Sequence, residues 1–125
     1  MAVKEIAFVA YPAKDVPGLA KFYEDVVGLK LDQTMGEGPE MKFAQFTLPN
    51  NGWFSVITLE WADVPPGSGY GVAFEVDDIE ATLKSLRGKA LDVDDKPYDT
   101  PVCRLAQFKD PEGNRVSLHQ ITVPH

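Results

Sequence analysis

The chain lacks several features that mark specialised classes of protein. It has a single cysteine, Cys103, so no disulfide can form within the chain, and a reducing compartment is the natural setting. Basic residues are scarce: 12 Lys and Arg stand against 19 Asp and Glu, giving a net charge of −7. This balance argues against non-specific binding to nucleic acid or to an anionic membrane surface. No apolar run approaches membrane-spanning length, and the first residues lack the apolar stretch of a signal peptide. We therefore expect a cytoplasmic protein that binds neither nucleic acid nor membrane.

Common catalytic signatures are also missing. The sequence contains no glycine-rich phosphate loop and no nucleophile elbow, which argues against those two routes to catalysis. What the chain does have is an ordinary globular composition, with 125 residues of which 44% are hydrophobic. That length and apolar content suit one domain with a genuine core.

The most informative feature is a weak internal repeat. Residues 8–16 (FVAYPAKDV) resemble residues 71–79 (GVAFEVDDI), 63 positions further on. Each copy has a short apolar run, then an Asp, then an amphipathic stretch that ends at a glycine. Two such copies predict a single domain, 1–125, built from two similar modules at about 1–64 and 70–125 with a cleft between them.

Local patterns predict the order β-α-β-β-β in each module. Asp15 and Asp78 are suited to cap the two helices, and Gly28 and Gly88 to end them. Pro65-Pro66-Gly67-Ser68-Gly69 is expected to link the modules, and Asp110-Pro111-Glu112-Gly113-Asn114 to form a turn. The predicted strands cover residues 6–11, 30–34, 42–48 and 53–60 in module one, and 71–76, 91–93, 102–109 and 115–122 in module two.

Three of these segments carry a family resemblance. The run Asp15 to Gly28 (DVPGLAKFYEDVVG), the segment Ala73 to Ile79 (AFEVDDI) and the turn Asp110 to Asn114 with Val116, Leu118 and His119 resemble the vicinal oxygen chelate superfamily. That superfamily contains glyoxalase I, extradiol dioxygenases and bleomycin-binding proteins. The resemblance implies an α+β fold in which two tandem β-α-β-β-β modules form a curved mixed sheet around a central cleft. It also implies a homodimer, since small members usually pair.

The enzymes of this superfamily hold a divalent metal with one ligand from the first and last strand of each module. By resemblance, these positions fall on Phe8, Thr58, Gly71 and Ser117. Phe and Gly offer no side-chain donor atom, and neutral hydroxyls are poor ligands for transition metals. We therefore expect no metal or other cofactor, and we expect a ligand-binding cleft lined by Phe8, Thr58, Gly71, Ser117 and His119.

Three candidate catalytic residues remain: Glu60, Glu75 and His119. A shift of two residues keeps the sheet face and reaches Glu60 and His119, with Glu75 on the same face, so a relocated metal site is an alternative. His119 could also be a general base or a hydrogen-bonding group. No partner acid can be identified for it from the sequence, so we interpret it as structural. Cys103 is interpreted as a small buried hydrophobe and Asp110 and Asn114 as turn formers.

Three functions follow from these observations. The first is a metal-free module that binds a small, partly apolar molecule in the cleft. The second is a metal-dependent lyase, isomerase or dioxygenase with a relocated site. The third is a metal-free enzyme that uses His119 with Glu60 or Glu75. The first is favoured, and the sequence does not decide whether the protein is an enzyme.

Overall fold

The computed structural model describes residues 1–50, 52–58 and 63–123. The chain divides into two compact units, Met1–Pro66 and Gly67–His125, so the division lies within the predicted linker. Each unit carries one four-stranded sheet of mixed parallel and antiparallel strands. The α+β class and the tandem modules predicted from the sequence are confirmed.

In unit 1, the chain order follows the predicted β-α-β-β-β. Asp15 caps the first helix, since its side chain accepts a hydrogen bond from the backbone N–H of Gly18 at 3.1 Å. Gly28 ends the helical segment in the left-handed conformation, at φ +87°, after a π-helical turn at Tyr23–Val27. The elements are β1 (Val9–Pro12), α1 (Val16–Phe22), β2 (Lys30–Met35), β3 (Phe43–Thr47) and β4 (Trp53–Ile57), and the sheet order is β1-β4-β3-β2.

An aromatic cluster forms the core beneath helix α1. Phe54 is buried at its centre, with ring centroids 5.4 Å from Tyr11, 4.9 Å from Tyr23 and 6.4 Å from Phe46. Edge-to-face, tilted and stacked ring pairs all occur in this cluster, and such arrangements are favourable for aromatic rings. The cluster fixes one face of the unit 1 sheet against the helix. The opposite face, which we call the helix-free face, carries the alternate residues of the same strands.

Unit 2 repeats the sheet order of unit 1. Its elements are β5 (Ala73–Glu75), α2 (Ile79–Leu86), β6 (Tyr98–Asp99), β7 (Cys103–Lys109) and β8 (Arg115–Ile121), and the sheet order is β5-β8-β7-β6. The carboxylate of Asp78 caps α2 by accepting from the backbone N–H of Ala81 at 3.1 Å. The buried face of that helix consists of Ile79, Leu83 and Leu86, as the sequence predicts.

The strand predicted at residues 91–93 is wrong. Leu91 makes only a single bridge with Lys109, and the next residue, Asp92, has φ +46°, which interrupts an extended chain. The edge strand is β6, further along the chain. The segment between Leu91 and β6 carries Asp92, Asp94 and Asp95, and Asp94 has a structural role there, because its Oδ2 accepts the backbone N–H of Gln107 at 2.8 Å. This carboxylate serves as an acceptor for the edge of β7.

The β7–β8 turn is held by two buried side chains. Asp110 Oδ1 accepts from the backbone N–H groups of Glu112 and Asn114, each at 3.0 Å, and its Oδ2 accepts from Asn114 Nδ2 at 2.8 Å. Asn114 Oδ1 in turn accepts the backbone N–H of Gly69 at 2.7 Å. The interpretation of Asp110 and Asn114 as turn formers is confirmed, and the same contacts attach the end of the linker to the turn.

The sheet registers reveal a repeat that complements the one at the start of each module. In unit 1, Ser55 lies opposite Ala10 on one side and Gln45 on the other. In unit 2, Ser117 lies opposite Ala73 and Gln107 in the same way. The sheet face that is not covered by the helix, which is the helix-free face of each unit, therefore carries one Ala–Ser–Gln row across three adjacent strands.

Among the described residues, no helix is long and apolar enough to cross a membrane.

Candidate functional site

The helix-free face of unit 2 carries the polar groups that sequence reasoning could not assemble. Its β5 and β8 strands are parallel, and the register sets Glu75 opposite His119. Residues paired in this way have side chains on the same face of the sheet. Glu75 Oε1 lies 2.5 Å from His119 Nδ1, and Glu75 Oε2 accepts the backbone N–H of Ile121 at 2.8 Å. Both carboxylate oxygens are therefore in use, which fixes the position of the Glu75 side chain.

This pair gives His119 the partner acid that the sequence could not identify. The sequence offered no partner acid for it, and the structure supplies one 44 residues earlier in the chain. The side chain of His119 is 28% exposed and that of Glu75 is 54% exposed, so the pair lies at a surface rather than in the core. Glu60, the third candidate, lies outside the described residues.

Next to this pair on the same face lies a second polar chain. Gln107 Nε2 donates to Ser117 Oγ at 3.0 Å, and Gln107 Oε1 accepts from Arg115 at 3.1 Å. The arginine thereby fixes which end of the Gln107 amide faces the serine. Ser117 is one of the positions expected to line the cleft, and its hydroxyl is held by this contact.

The other predicted cleft residues occupy different surroundings. Phe8 precedes β1, is 45% exposed, and packs edge-on against Phe43 with ring centroids 6.1 Å apart. Since Phe43 belongs to the helix-free face of unit 1, Phe8 adds apolar surface there. Thr58 follows the end of β4, and its Oγ1 donates to the carbonyl of Ala13 at 3.1 Å. Gly71 precedes β5 at φ +111°, with open space where a Cβ would lie.

Sequence reasoning missed Ser55, which the register makes the unit 1 counterpart of Ser117. Ser55 is fully buried, and its Oγ has no hydrogen-bond partner in the described part of the chain. A signal for this position was present: the triplet Ala-Gln-Phe occurs at 44–46 and again at 106–108, and each glutamine precedes its serine by ten residues. The offset between the two copies at the start of the modules does not align Ser55 with Ser117, because the connecting loops differ in length.

Cys103 and its neighbour Arg104 make contacts within unit 2. Cys103 is buried, as predicted, and its Sγ lies 3.1 Å from Thr100 Oγ1. Arg104 lies on the helix side of the unit 2 sheet, where its hydrogen bond to Asp99 and its pairing with Glu80 hold the pKa of its guanidinium above its usual value. Within residues 1–50, 52–58 and 63–123, no group of three or more His, Cys, Asp or Glu side chains could hold a metal ion together.

Comparison with known proteins agrees with this architecture. The model of the Glyoxalase/Bleomycin resistance protein/Dioxygenase superfamily matches residues 5–118, so the chain belongs to that superfamily. A glyoxylase-like domain-containing protein of Didymella fabae is 32% identical over 115 residues, covering 88% of both chains. The lactoylglutathione lyase of Haemophilus influenzae is 30% identical over 113 residues, covering 83% of both. The crystal structure of TnmS3, an antibiotic binding protein from Streptomyces sp. CB03234, has a TM-score of 0.81 and 27% identity, covering 98% of this chain and 99% of that one.

Proposed function

We propose that this protein binds a small, partly apolar molecule without the help of a metal ion. The observation that carries the proposal is the chemistry of the four positions that resemble the ligand positions of the superfamily. Phe8 and Gly71 have no donor atom, and the hydroxyls of Thr58 and Ser117 already take part in hydrogen bonds within the protein. Ser55, the counterpart of Ser117 by sheet register, likewise offers only a neutral hydroxyl. These residues do not fit a transition metal, which prefers imidazole, carboxylate or thiolate ligands.

The helix-free face of unit 2 supports a ligand of mixed polarity. Ala73 and Leu105 place apolar side chains on this face. On unit 2, Glu75, His119 and Ser117 offer polar groups. Binding sites for small molecules commonly combine apolar walls with a few fixed polar groups. TnmS3, which shares 27% of its sequence and nearly its whole length with this chain, is an antibiotic binding protein, and this likeness favours binding over catalysis. We further propose that the protein is cytoplasmic and acts as a homodimer.

A second candidate is a metal-free enzyme. It is favoured by the Glu75–His119 contact, because a carboxylate that holds an imidazole is the arrangement of a general base. The 30% identity to a lactoylglutathione lyase also favours an enzyme. In that case His119 would accept a proton from the substrate and Glu75 would orient its ring. A metal-dependent enzyme with a relocated site would have to add Glu60 to this pair.

Chelation tests the proposal directly. Protein purified without chelator should contain well under one equivalent of Zn, Fe, Mn or Ni, and EDTA should leave its melting temperature unchanged. A tight metal site would stabilise the folded state by mass action, so that chelation would lower the melting temperature. Elemental analysis and a thermal melt measure both quantities. Stoichiometric metal bound through Glu60, Glu75 or His119 would instead establish the metal-dependent enzyme.

Blocking the helix-free face of unit 2 should weaken ligand binding. Ala73 is exposed on that face beside Ser117, and a tryptophan there would cover the row without straining the strand. We expect Ala73→Trp to weaken binding of the uncharged dye Nile red at least tenfold, which is about 1.4 kcal/mol. Gly71 is a poorer site for this change, because its φ of +111° disfavours any other residue.

The matched control is Ala81→Trp, which adds the same ring to the exposed surface of helix α2. Fluorescence titration of the two variants compares the helix-free face of the unit 2 sheet with the exposed surface of helix α2. Equal affinities for Nile red in both variants would place the binding surface elsewhere.

A further inference from the structure

The Glu75–His119 pair has a geometry that selects a particular kind of ligand. We propose that, at the binding site suggested above, His119 Nε2 accepts the acidic hydroxyl of an aromatic ligand while Ser117 donates to a carbonyl of the same molecule. The ligand class is thus an aryl hydroxyketone. This inference rests on the proposed function and specifies the chemistry of its ligand.

The contact with Glu75 sets the tautomer of His119. An ionised carboxylate only accepts hydrogen bonds, so the Nδ1 that faces Glu75 Oε1 must carry a hydrogen. The neutral ring then has its lone pair on Nε2, and Nε2 has no hydrogen-bond partner in the described part of the chain. Glu75 cannot turn away easily, because its second oxygen accepts the backbone N–H of Ile121. The protein therefore presents a fixed acceptor at Nε2 of His119, whose side chain is partly exposed.

The Nε2 acceptor of His119 favours a ligand hydroxyl that is acidic. A phenolic or enolic hydroxyl can donate to Nε2, or it can transfer its proton to Nε2 and remain as an oxyanion beside the imidazolium. The carboxylate of Glu75 stabilises the imidazolium in the second case, because opposite charges at hydrogen-bond distance attract. An aliphatic alcohol can make only the first contact. The pair therefore favours an acidic hydroxyl over an ordinary one.

Ser117 provides a hydrogen-bond donor for the ligand on the same face as His119. It lies two residues before His119 on β8, so their Cα atoms are about 7 Å apart on one face. Since Gln107 Nε2 donates to Ser117 Oγ, the serine hydrogen remains available for an acceptor on a ligand. Ala73, opposite Ser117, and Leu105, opposite His119, place apolar side chains beside these two polar groups. A flat molecule with a hydroxyl at one end and a carbonyl at the other matches this arrangement.

Three related probes separate the contributions: 4-hydroxybenzophenone, its methyl ether 4-methoxybenzophenone, and 4-benzylphenol, which lacks the carbonyl. In isothermal titration calorimetry, 4-hydroxybenzophenone should bind with the highest affinity. Each of the other two probes should bind about tenfold more weakly, because each lacks one hydrogen bond. His119→Phe should remove the difference between the hydroxyl and methoxy probes. Ser117→Ala should reduce the difference between 4-hydroxybenzophenone and 4-benzylphenol, and the part that remains reflects the weaker acidity of the benzylphenol hydroxyl.

Glu75→Gln tests the positioning role of the carboxylate without any ligand. The backbone N–H of Ile121 needs an acceptor, so the new amide should turn its oxygen there and its NH₂ toward Nδ1. His119 should then switch from the Nδ1–H to the Nε2–H tautomer, which long-range ¹⁵N–¹H NMR at pH 8.5 distinguishes. The ratio of the affinities for the hydroxyl and methoxy probes should fall in the same variant. Glu80→Gln, the same change on the helix side of the sheet, should alter neither.

The outcomes separate this inference from the proposed function. An Nε2–H tautomer in the unaltered protein, or equal binding of the hydroxyl and methoxy probes, would overturn the hydroxyl-accepting role of His119 while leaving metal-free binding intact. No binding of any of the three probes would overturn the ligand class. The metal content and the chelation melt decide the proposed function independently of all three probes.

Discussion

Replacing Asp110 by alanine should lower the free energy of unfolding by about 3 kcal/mol or more, because buried donors would lose their acceptor. The carboxylate accepts three hydrogen bonds, from the backbone N–H groups of Glu112 and Asn114 and from the Asn114 side chain. Asp110 and Asn114 are both fully buried, so water does not readily replace the missing oxygens. Urea denaturation followed by circular dichroism measures the loss.

Two variants serve as controls for Asp110→Ala. Asp110→Asn keeps one acceptor oxygen but sets an NH₂ group toward Asn114 Nδ2, so we expect an intermediate loss. Asp77→Ala removes an exposed carboxylate just before the cap of α2, and its effect should stay within about 0.5 kcal/mol. If Asp110→Ala were no more harmful than Asp77→Ala, the buried turn would not be the restraint that holds the β7–β8 connection.

This turn also shows what the sequence alone could predict. Asp110, Asp15 and Asp78 accept hydrogen bonds from backbone groups two to four residues away, so local spacing was enough to assign them. The same holds for Gly28, where the helix ends in a left-handed residue. Capping and turn rules are local, and they transfer from sequence to structure without knowledge of the rest of the fold.

The candidate site was harder because its contacts are not local. His119 meets Glu75 only because β5 pairs with β8 in parallel and in one register, and no pattern within either strand fixes that register. A shift of one residue would place either side chain on the other face. The sequence could therefore name both residues as candidates but could not bring them together. The equivalence of Ser55 and Ser117 depends on register in the same way.

Two neighbouring residues on β4 show that the sequence also could not decide which side chain lies in the core. Strand alternation requires Trp53 and Phe54 to point to opposite faces, but it does not say which of them lies under the helix. The structure buries Phe54 and leaves Trp53 42% exposed. The larger side chain is therefore not the core residue, and it contributes to the helix-free face of unit 1 instead.

The second large effect follows from this arrangement: Phe54→Ala should cost about 3–5 kcal/mol of unfolding free energy, the usual range for removing a buried ring. Phe54 lies against Tyr11, Tyr23 and Phe46, so the substitution would remove the centre of the aromatic cluster and leave a cavity. Because the rings around it are held by the sheet and by helix α1, the cavity can close only in part. Thermal and urea denaturation measure the cost, and Phe54→Leu should give a smaller loss if the alanine variant does not fold.

Trp53→Ala is the matched control for Phe54→Ala, since it removes a still larger ring from the adjacent position on the same strand. Its side chain is partly in solvent, so the loss should be below about 1 kcal/mol. A comparable loss for the two substitutions would mean that the helix-free face of unit 1 is packed as tightly as the core. It would then be unavailable to a ligand, because a face that stabilises the fold to that degree has its apolar surface already buried.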